Sequence, residues 1–242
     1  MCGLAGIIKR NGSLSEYERN SVGRMLELTK HRGPDDSGVC GLSGELLCVR
    51  DKAEQLTGNM TAMFGFNRLS IQDISEAGKQ PMLSPDGKIV LTFNGEIYNT
   101  GELRRKLSSD FGEILYRGHS DTEVILQLYM HYGFDKTIRM LNGMFAIIIA
   151  DTGHDTIYIA RDRYGIIPLH MLIEKDRIIY CSELKGFLGL NEFDRCPNLE
   201  AVSKNIMYYH PKNCMYKNVE NVPAGHYYTL SISRYPGGIK AQ

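Results

Sequence analysis

The first residue able to do chemistry in this 242-residue chain is Cys2. It follows Met1 directly in Met1-Cys2-Gly3-Leu4-Ala5-Gly6-Ile7. Removal of the methionine would leave one residue carrying both a thiol and a free α-amine. The thiolate is a nucleophile. An α-amine titrates near roughly 7.7–8.0, so it can take and return a proton at working pH. One residue then holds both halves of a nucleophile–base pair. The plainer alternative is a cysteine that opens a buried strand, since free cysteine packs as a small hydrophobe.

Three further groups belong with it. Asn94-Gly95-Glu96 follows a strand expected over Ile89–Phe93. An Asn amide and a Gly N–H at a strand end can both donate to one developing oxyanion, although Asn-Gly is also an ordinary turn. Arg68 closes an apolar stretch and reads either as a surface cation or as a fork that grips a carboxylate in two places. Asp121 follows Ser120 in the first turn of an expected helix, where the helix dipole favours its ionised form. It reads either as a capping residue or as a receptor for an ammonium group. A carboxylate grip, an ammonium grip, a nucleophile and an oxyanion hole together suit attack on the side-chain amide of a free amino acid.

These groups need a frame. Cys2 to Lys9 reads as an N-terminal strand, and Asn11-Gly12 as a turn. Ser15 with Glu18 forms a capping box for a helix whose inner stripe is Val22, Met25, Leu26 and Thr29. Lys88 to Asn94 reads as a strand, while Asn99–Leu107 and Thr122–Tyr132 read as helices. Ser120 with Glu123 gives a second capping-box pattern. Met144–Ala150 and Thr156–Ala160 are strands joined at Thr152-Gly153, and the unbroken apolar run of the first implies burial on both faces. Strands come mostly as neighbours without regular βαβ alternation. That predicts an α+β fold of antiparallel sheets covered by helices. The expected organisation is one domain over residues 1–233, with a linker-like tail over 234–242.

Composition narrows the function. Lys and Arg number 28, matching 28 Asp and Glu, so no net field favours nucleic acid or an anionic membrane. The longest apolar run is far too short to span a bilayer. The six cysteines form no CxxC pair, so no metal site is expected from their spacing. With no secretory signal before Cys2, a reducing, cytoplasmic compartment is the expectation.

With these residues assembled, the chain resembles the class II glutamine amidotransferases, which are N-terminal-nucleophile hydrolases. The nearest likeness is to the glutaminase domain of asparagine synthetase. The blocks that carry it are Met1-Cys2-Gly3-Leu4-Ala5-Gly6, His31-Arg32-Gly33-Pro34-Asp35, Arg68-Leu69-Ser70-Ile71, Asn94-Gly95-Glu96-Ile97-Tyr98-Asn99, Ser120-Asp121-Thr122-Glu123, Gly143-Met144-Phe145-Ala146, Arg161-Asp162-Arg163-Tyr164-Gly165-Ile166, Ser182-Glu183-Leu184-Lys185 and Val222-Pro223-Ala224-Gly225-His226. The resemblance implies a four-layer αββα sandwich of two antiparallel sheets. It implies Cys2 as nucleophile after loss of Met1, with Asn94 and Gly95 as the oxyanion hole. It implies Arg68 at the glutamine carboxylate, Glu96 and Asp121 at the amino end, and Leu69, Ser70, Ile71 and Gln72 lining the pocket. It implies L-glutamine as substrate, no cofactor for this domain, and ATP and Mg only for a synthetase domain or subunit acting as partner. It leaves room for a homodimer.

Two departures stand out. The family often has His-Arg before its carboxylate-binding arginine, where this chain has Phe66-Asn67. It often has Gly-Ile-Lys-Pro-Leu-Tyr, where this chain has Gly165-Ile166-Ile167-Pro168-Leu169-His170. The second lies well downstream of the catalytic blocks and is expected to matter little to glutaminase chemistry. No SGGxDS phosphate loop occurs in the 242 residues. The expectation is therefore a glutaminase part whose synthetase lies elsewhere. A non-catalytic glutamine-binding regulatory or assembly module of the same fold stays open as the rival.

Overall fold

The computed structural model describes residues 1–71, 73–207, 214–233 and 240–241. In chain order the elements are β1 (Gly3–Lys9), α1 (Glu16–Leu28), β2 (Asp36–Ser43), β3 (Leu46–Arg50), β4 (Ala62–Arg68), β5 (Met82–Leu83), β6 (Ile89–Ile97), α2 (Thr100–Phe111), α3 (Asp121–Tyr132), α4 (Phe134–Met140), β7 (Gly143–Asp151), β8 (Thr156–Arg161), β9 (His170–Ile173), β10 (Arg177–Cys181), α5 (Leu199–Met207), β11 (Val219–Asn221), β12 (Tyr227–Ser231) and β13 (Lys240–Ala241).

Successive side chains of a strand point to opposite faces, and that alternation builds the layers. Along β1, Leu4 and Ile8 face one side, while Ala5 and Ile7 face the other. The first pair packs between two sheets and the second pair packs under α1. One sheet runs β11-β9-β10-β1-β4-β2-β3, and the other runs β13-β12-β8-β7-β6-β5. Every ladder among the described residues is antiparallel. Along β7, Ala146, Ile148 and Ala150 meet the first sheet, whereas Phe145, Ile147 and Ile149 pack with Leu103, Leu107, Val124 and Leu128 of α2 and α3. The result is helix, sheet, sheet, helix, the four-layer α+β sandwich implied by the resemblance.

The helices are placed by local chemistry. Ser15 and Glu18 satisfy each other's backbone N–H groups at the start of α1. Val22, Met25 and Leu26 are buried against the first sheet, each contributing roughly 1.5–3 kcal/mol. At the other end of α1 the Asn67 amide donates to the Leu26 carbonyl oxygen at 2.7 Å. The same oxygen also accepts from Thr29 N at 3.1 Å, so Asn67 reinforces the helix end. The Phe66-Asn67 departure thus ties β4 to α1, and Arg68 keeps the opposite face.

The structure moves some sequence boundaries. Asn94 and Gly95 do not follow a strand; they lie inside β6, opposite Ala146 and Phe145. Ser120 caps α3 by accepting from Glu123 N at 3.3 Å, but the reciprocal half of that box is absent. The Glu123 carboxylate instead accepts from Arg117 N and Gly118 N, at 2.8 and 2.9 Å. α4 was not foreseen. Lys240 and Ala241 pair with Thr229 and Tyr228 of β12; the rest of the expected tail from Arg234 lies outside the described residues.

Candidate active site

Strand parity brings the chemistry to one place. Cys2 shares the parity of Leu4 and Ile8, Arg68 that of Phe64 and Phe66, and Asn94 that of Val90. All three therefore point into the layer between the sheets, at one end of the sandwich. A cleft there is lined by Cys2, Arg68, Leu69, Ser70, Ile71, Asn94, Gly95, Glu96 and Asp121, together with Met1, Asp73, Gly78, Gln80, Phe93, Ser120, Thr122, Met144 and Ile167. Gln72, also singled out from the sequence, lies outside the described residues.

Cys2 sits half-buried, one residue before the β1 ladder begins. Its Sγ accepts from Leu69 N at 3.3 Å. Burial pushes the thiol above its ordinary value, and the Leu69 N–H and the Arg68 charge offset only part of that. At neutral pH this sulfur is a thiol awaiting a base. No histidine lines the cleft among the described residues.

Arg68 is buried, and its fork is held from behind. Its guanidinium donates to the Ser75 carbonyl at 3.1 Å and to the Asp73 carbonyl. Gly78 permits this, since a Cβ there would collide with the guanidinium. The Asp73 carboxylate fixes the turn that presents those carbonyls. It accepts from Ser75 N at 2.9 Å and Ser75 Oγ at 2.6 Å, and reaches across to His119 N at 2.9 Å. Hydrogen bonds from the Ser75 hydroxyl, His119 N–H and Ser75 N–H hold its carboxyl down at about 2. Asp73 thus joins the segment carrying Arg68 to the loop that enters α3. Asp35 adds a second tie by accepting from Ser70 N at 2.8 Å.

The edge of β6 supplies the donors. In an antiparallel strand alternate residues turn their N–H groups to the same side. Phe93 N points away from β7 and donates to Gln80 Oε1 at 2.6 Å. Ile97 N points the same way and donates to Asp121 Oδ2 at 3.1 Å. Gly95 lies between them, and its partner residue Phe145 is engaged on its far side with Asp162. The Gly95 N–H therefore faces the cleft between two occupied neighbours. A Cβ on Gly95 would collide with the Met144 carbonyl oxygen, so only glycine allows this approach. Beside it, Asn94 is buried and its Nδ2 has no hydrogen-bond partner. A buried donor left unmade is costly.

Asp121 and Glu96 make the acidic end. Asp121 is 6% exposed. Burial, with the nearby Glu96 charge, raises its carboxyl to about 6 in spite of the Ile97 N–H bond. It stays mostly ionised at pH 7.

Several lining residues escaped the sequence reading. Gln80 stands in for a strand, bonding Phe93 on both backbone atoms and also Thr122 Oγ1 at 3.1 Å. Asp73, five residues beyond Arg68, could have been suspected as a local turn-former. Ile167 is the clearest surprise. The Asp162 carboxylate, fully buried, accepts from Phe145, Tyr164, Ile166 and Ile167 N–H groups, and Arg161 bonds the Ile167 and Val222 carbonyls. That knot folds the downstream segment back and delivers Ile167 to the cleft wall. Distance along the chain was a poor guide to its place.

Comparison with known proteins gives the family and the fold. Residues 1–236 match the glutamine amidotransferase domain family. A putative glutamine-hydrolyzing asparagine synthetase 2 of Methanocaldococcus jannaschii is 34% identical over 224 residues, covering 86% of this chain and 39% of that protein. The glutamine-hydrolyzing asparagine synthetase 2 of Bacillus subtilis is 32% identical over 241 residues, covering 96% of this chain and 29% of that protein. The chain thus spans about a third of the length of these relatives. In fold it is similar to a glutamine phosphoribosylpyrophosphate amidotransferase from B. subtilis, with a TM-score of 0.71 and 19% identity over 100% of this chain and 49% of that one.

Proposed function

Because the chain belongs to the class II glutamine amidotransferases, we propose that its cleft hydrolyses the side-chain amide of L-glutamine with Cys2 as nucleophile, once Met1 is removed. Arg68 grips the α-carboxylate, and Asp121 with Glu96 receives the α-ammonium group. Leu69, Ser70, Ile71 and Gln72 form the wall along the substrate. Cys2 Sγ attacks the amide carbon while the freed α-amine of the same residue takes the thiol proton. The carbonyl oxygen becomes an oxyanion between Asn94 Nδ2 and the Gly95 N–H. The α-amine then passes the proton to the leaving nitrogen, and ammonia departs from a γ-glutamyl thioester. Water attacks the thioester, the thiol is restored and glutamate leaves. Apart from that water, each step as proposed draws on the chain's own groups.

The observation that carries this reading is the pair of unengaged donors beside Cys2. Asn94 Nδ2 is buried without a partner, and the Gly95 N–H faces the same cleft. Such donors serve the negative charge that develops on the substrate's carbonyl oxygen only during reaction. The raised thiol supports a base on Cys2 itself, since a sulfur that is not already a thiolate needs one.

The ammonia would serve an ATP-dependent synthetase domain or subunit that activates a carboxylate acceptor, aspartate if the asparagine synthetases are the guide. ATP and Mg belong to that part. We read the compartment as cytoplasmic, in keeping with six free cysteines. Among the described residues no helix is long and apolar enough to cross a membrane.

The test is glutamate release with Cys2→Ala and Cys2→Ser beside the parent protein, with intact mass reporting loss of Met1. Both variants should fold and lose hydrolysis. Full activity in a protein that retains Met1, or in Cys2→Ala, would sink the mechanism. Glutamine binding with no hydrolysis in the parent would favour a binding module.

A further inference from the structure

A nucleophile inside a chain is oriented by a peptide bond on each side. Cys2, once terminal, keeps one. What remains is the link to Gly3, the Leu69 N–H at Sγ, and one more contact. Arg32 Nε donates to the Cys2 carbonyl oxygen at 2.9 Å. The Arg32 side chain is 8% exposed and its NH1 donates to Glu183 Oε1 at 2.9 Å.

Glu183 is the hub behind that contact. It accepts from His31 Nε2 at 2.9 Å, and Lys185 Nζ lies 3.7 Å from its second oxygen. Lys185 also meets His31 Nδ1 at 3.1 Å. A lysine ammonium only donates, so His31 carries its proton on Nε2 and gives it to Glu183. The residue before Glu183 is pinned to β1: Ser182 N donates to the Leu4 carbonyl, and Leu4 N donates to Ser182 Oγ, both at 2.9 Å. Glu183 is thus anchored two residues from Cys2. Although burial works against its charge, the bonds from Arg32 and His31 hold its carboxyl below the ordinary value. Neither Glu183 nor Arg32 lines the cleft.

We propose that Glu183 is a positioning residue for the reaction, holding Arg32 so that Arg32 fixes the Cys2 carbonyl and with it the directions of the thiol and the α-amine. This rests on the reading of Cys2 as the terminal nucleophile. It has an electrostatic corollary. The carbonyl oxygen is three bonds from the α-amine, so an uncompensated Arg32 charge would disfavour the protonated amine. Glu183 cancels that charge. The other charged groups facing Cys2 are Arg68 at the end of β4 and Asp121 at the start of α3.

The experiment is steady-state hydrolysis of glutamine across pH by the full chain and by Glu183→Gln, with melting temperature as the fold control. Glu183→Gln should lower kcat by roughly 10- to 100-fold, the range of one charge-assisted hydrogen bond. KM should stay within about twofold, because no group that holds glutamine is touched. The acidic limb of kcat should move to lower pH. Loosened packing alone would not move it that way. Parental kcat with an unmoved limb would overturn the proposal. If Glu183→Gln does not fold, Glu183→Asp takes over: reduced kcat at unchanged KM, with the limb in place, supports the proposal, and parental kcat overturns it. Cys2→Ala run in parallel separates the premise from the inference. An active Cys2→Ala refutes the nucleophile; an inactive one beside a parental Glu183→Gln refutes only the role of Glu183.

Discussion

Replacing Asp121 by asparagine should make the protein more stable and worse at holding glutamine. In the folded protein its carboxyl lies at about 6 against an ordinary 3.8, chiefly through burial and then through the Glu96 charge. The stabilising contribution of such a raised group is complete below 3.8 and is lost as the pH rises through about 6. At pH 7 the fold therefore carries an ionised carboxylate at a cost of about 3 kcal/mol, at roughly 1.4 kcal/mol per pH unit between the two values. Asparagine keeps the shape and can still accept the Ile97 N–H bond through its carbonyl oxygen. Urea unfolding at pH 7 should show Asp121→Asn more stable by up to about 3 kcal/mol, and the gain should vanish by about pH 4. Calorimetry in a Cys2→Ala background, where nothing is turned over, should show glutamine binding at pH 7 weaker by at least about 30-fold, the loss expected for one partner of a buried charge pair. Equal stability of the two proteins at pH 7, or a gain that does not change between pH 7 and pH 4, would refute the reasoning. Unaltered glutamine affinity would separate Asp121 from the ammonium.

Two further substitutions divide the cleft by role, and a third tests its frame. Asn94→Ala should lower kcat by roughly 10²–10³ with little change in melting temperature, because its Nδ2 has no bond to lose. Arg68→Ala should instead act mainly on KM, since the carboxylate it is proposed to grip is present before and during reaction; parallel kcat losses in both at fixed KM would contradict that division. Asp73→Ala should raise KM and cost about 1–3 kcal/mol in urea unfolding, because it strands the His119 and Ser75 donors.

Much of this was legible in the chain. The Cys2, Arg68 and Asn94-Gly95 blocks pointed to the chemistry, and the lack of βαβ alternation pointed to the layers. What escaped has a common cause. Asn94-Gly95 looks like a turn because the pair is a frequent turn former, yet β7 pairs it into a strand. Ser120 and Glu123 look like a reciprocal capping box, yet two preceding N–H groups claim the carboxylate. Gln80 carries no local signature, since its partners Phe93 and Thr122 lie far along the chain, and the local turn at Asp73 gives no sign of its bond to His119. Ile167 reaches the cleft because the knot at Asp162 and Arg161 is tied to Phe145 and Val222. Competition for donors and acceptors decides them, some of it from distant strands and loops and some from residues just outside the motif, and the motif alone does not contain that information.

The edge of β6 bears on what can enter the site. β5 covers only Leu91 and Val90, so the remaining length is a sheet edge, the kind of surface on which a foreign strand can add. Here a glutamine side chain fills the register position at Phe93 and a carboxylate fills the one at Ile97. An extended peptide laid along this edge would find its alternate hydrogen-bonding positions already taken, and addition of a strand is forestalled. A lone oxygen atom on a compact molecule needs only the one position left between them. The blocking that keeps chains from associating through this edge also selects against polypeptide and in favour of a small amide.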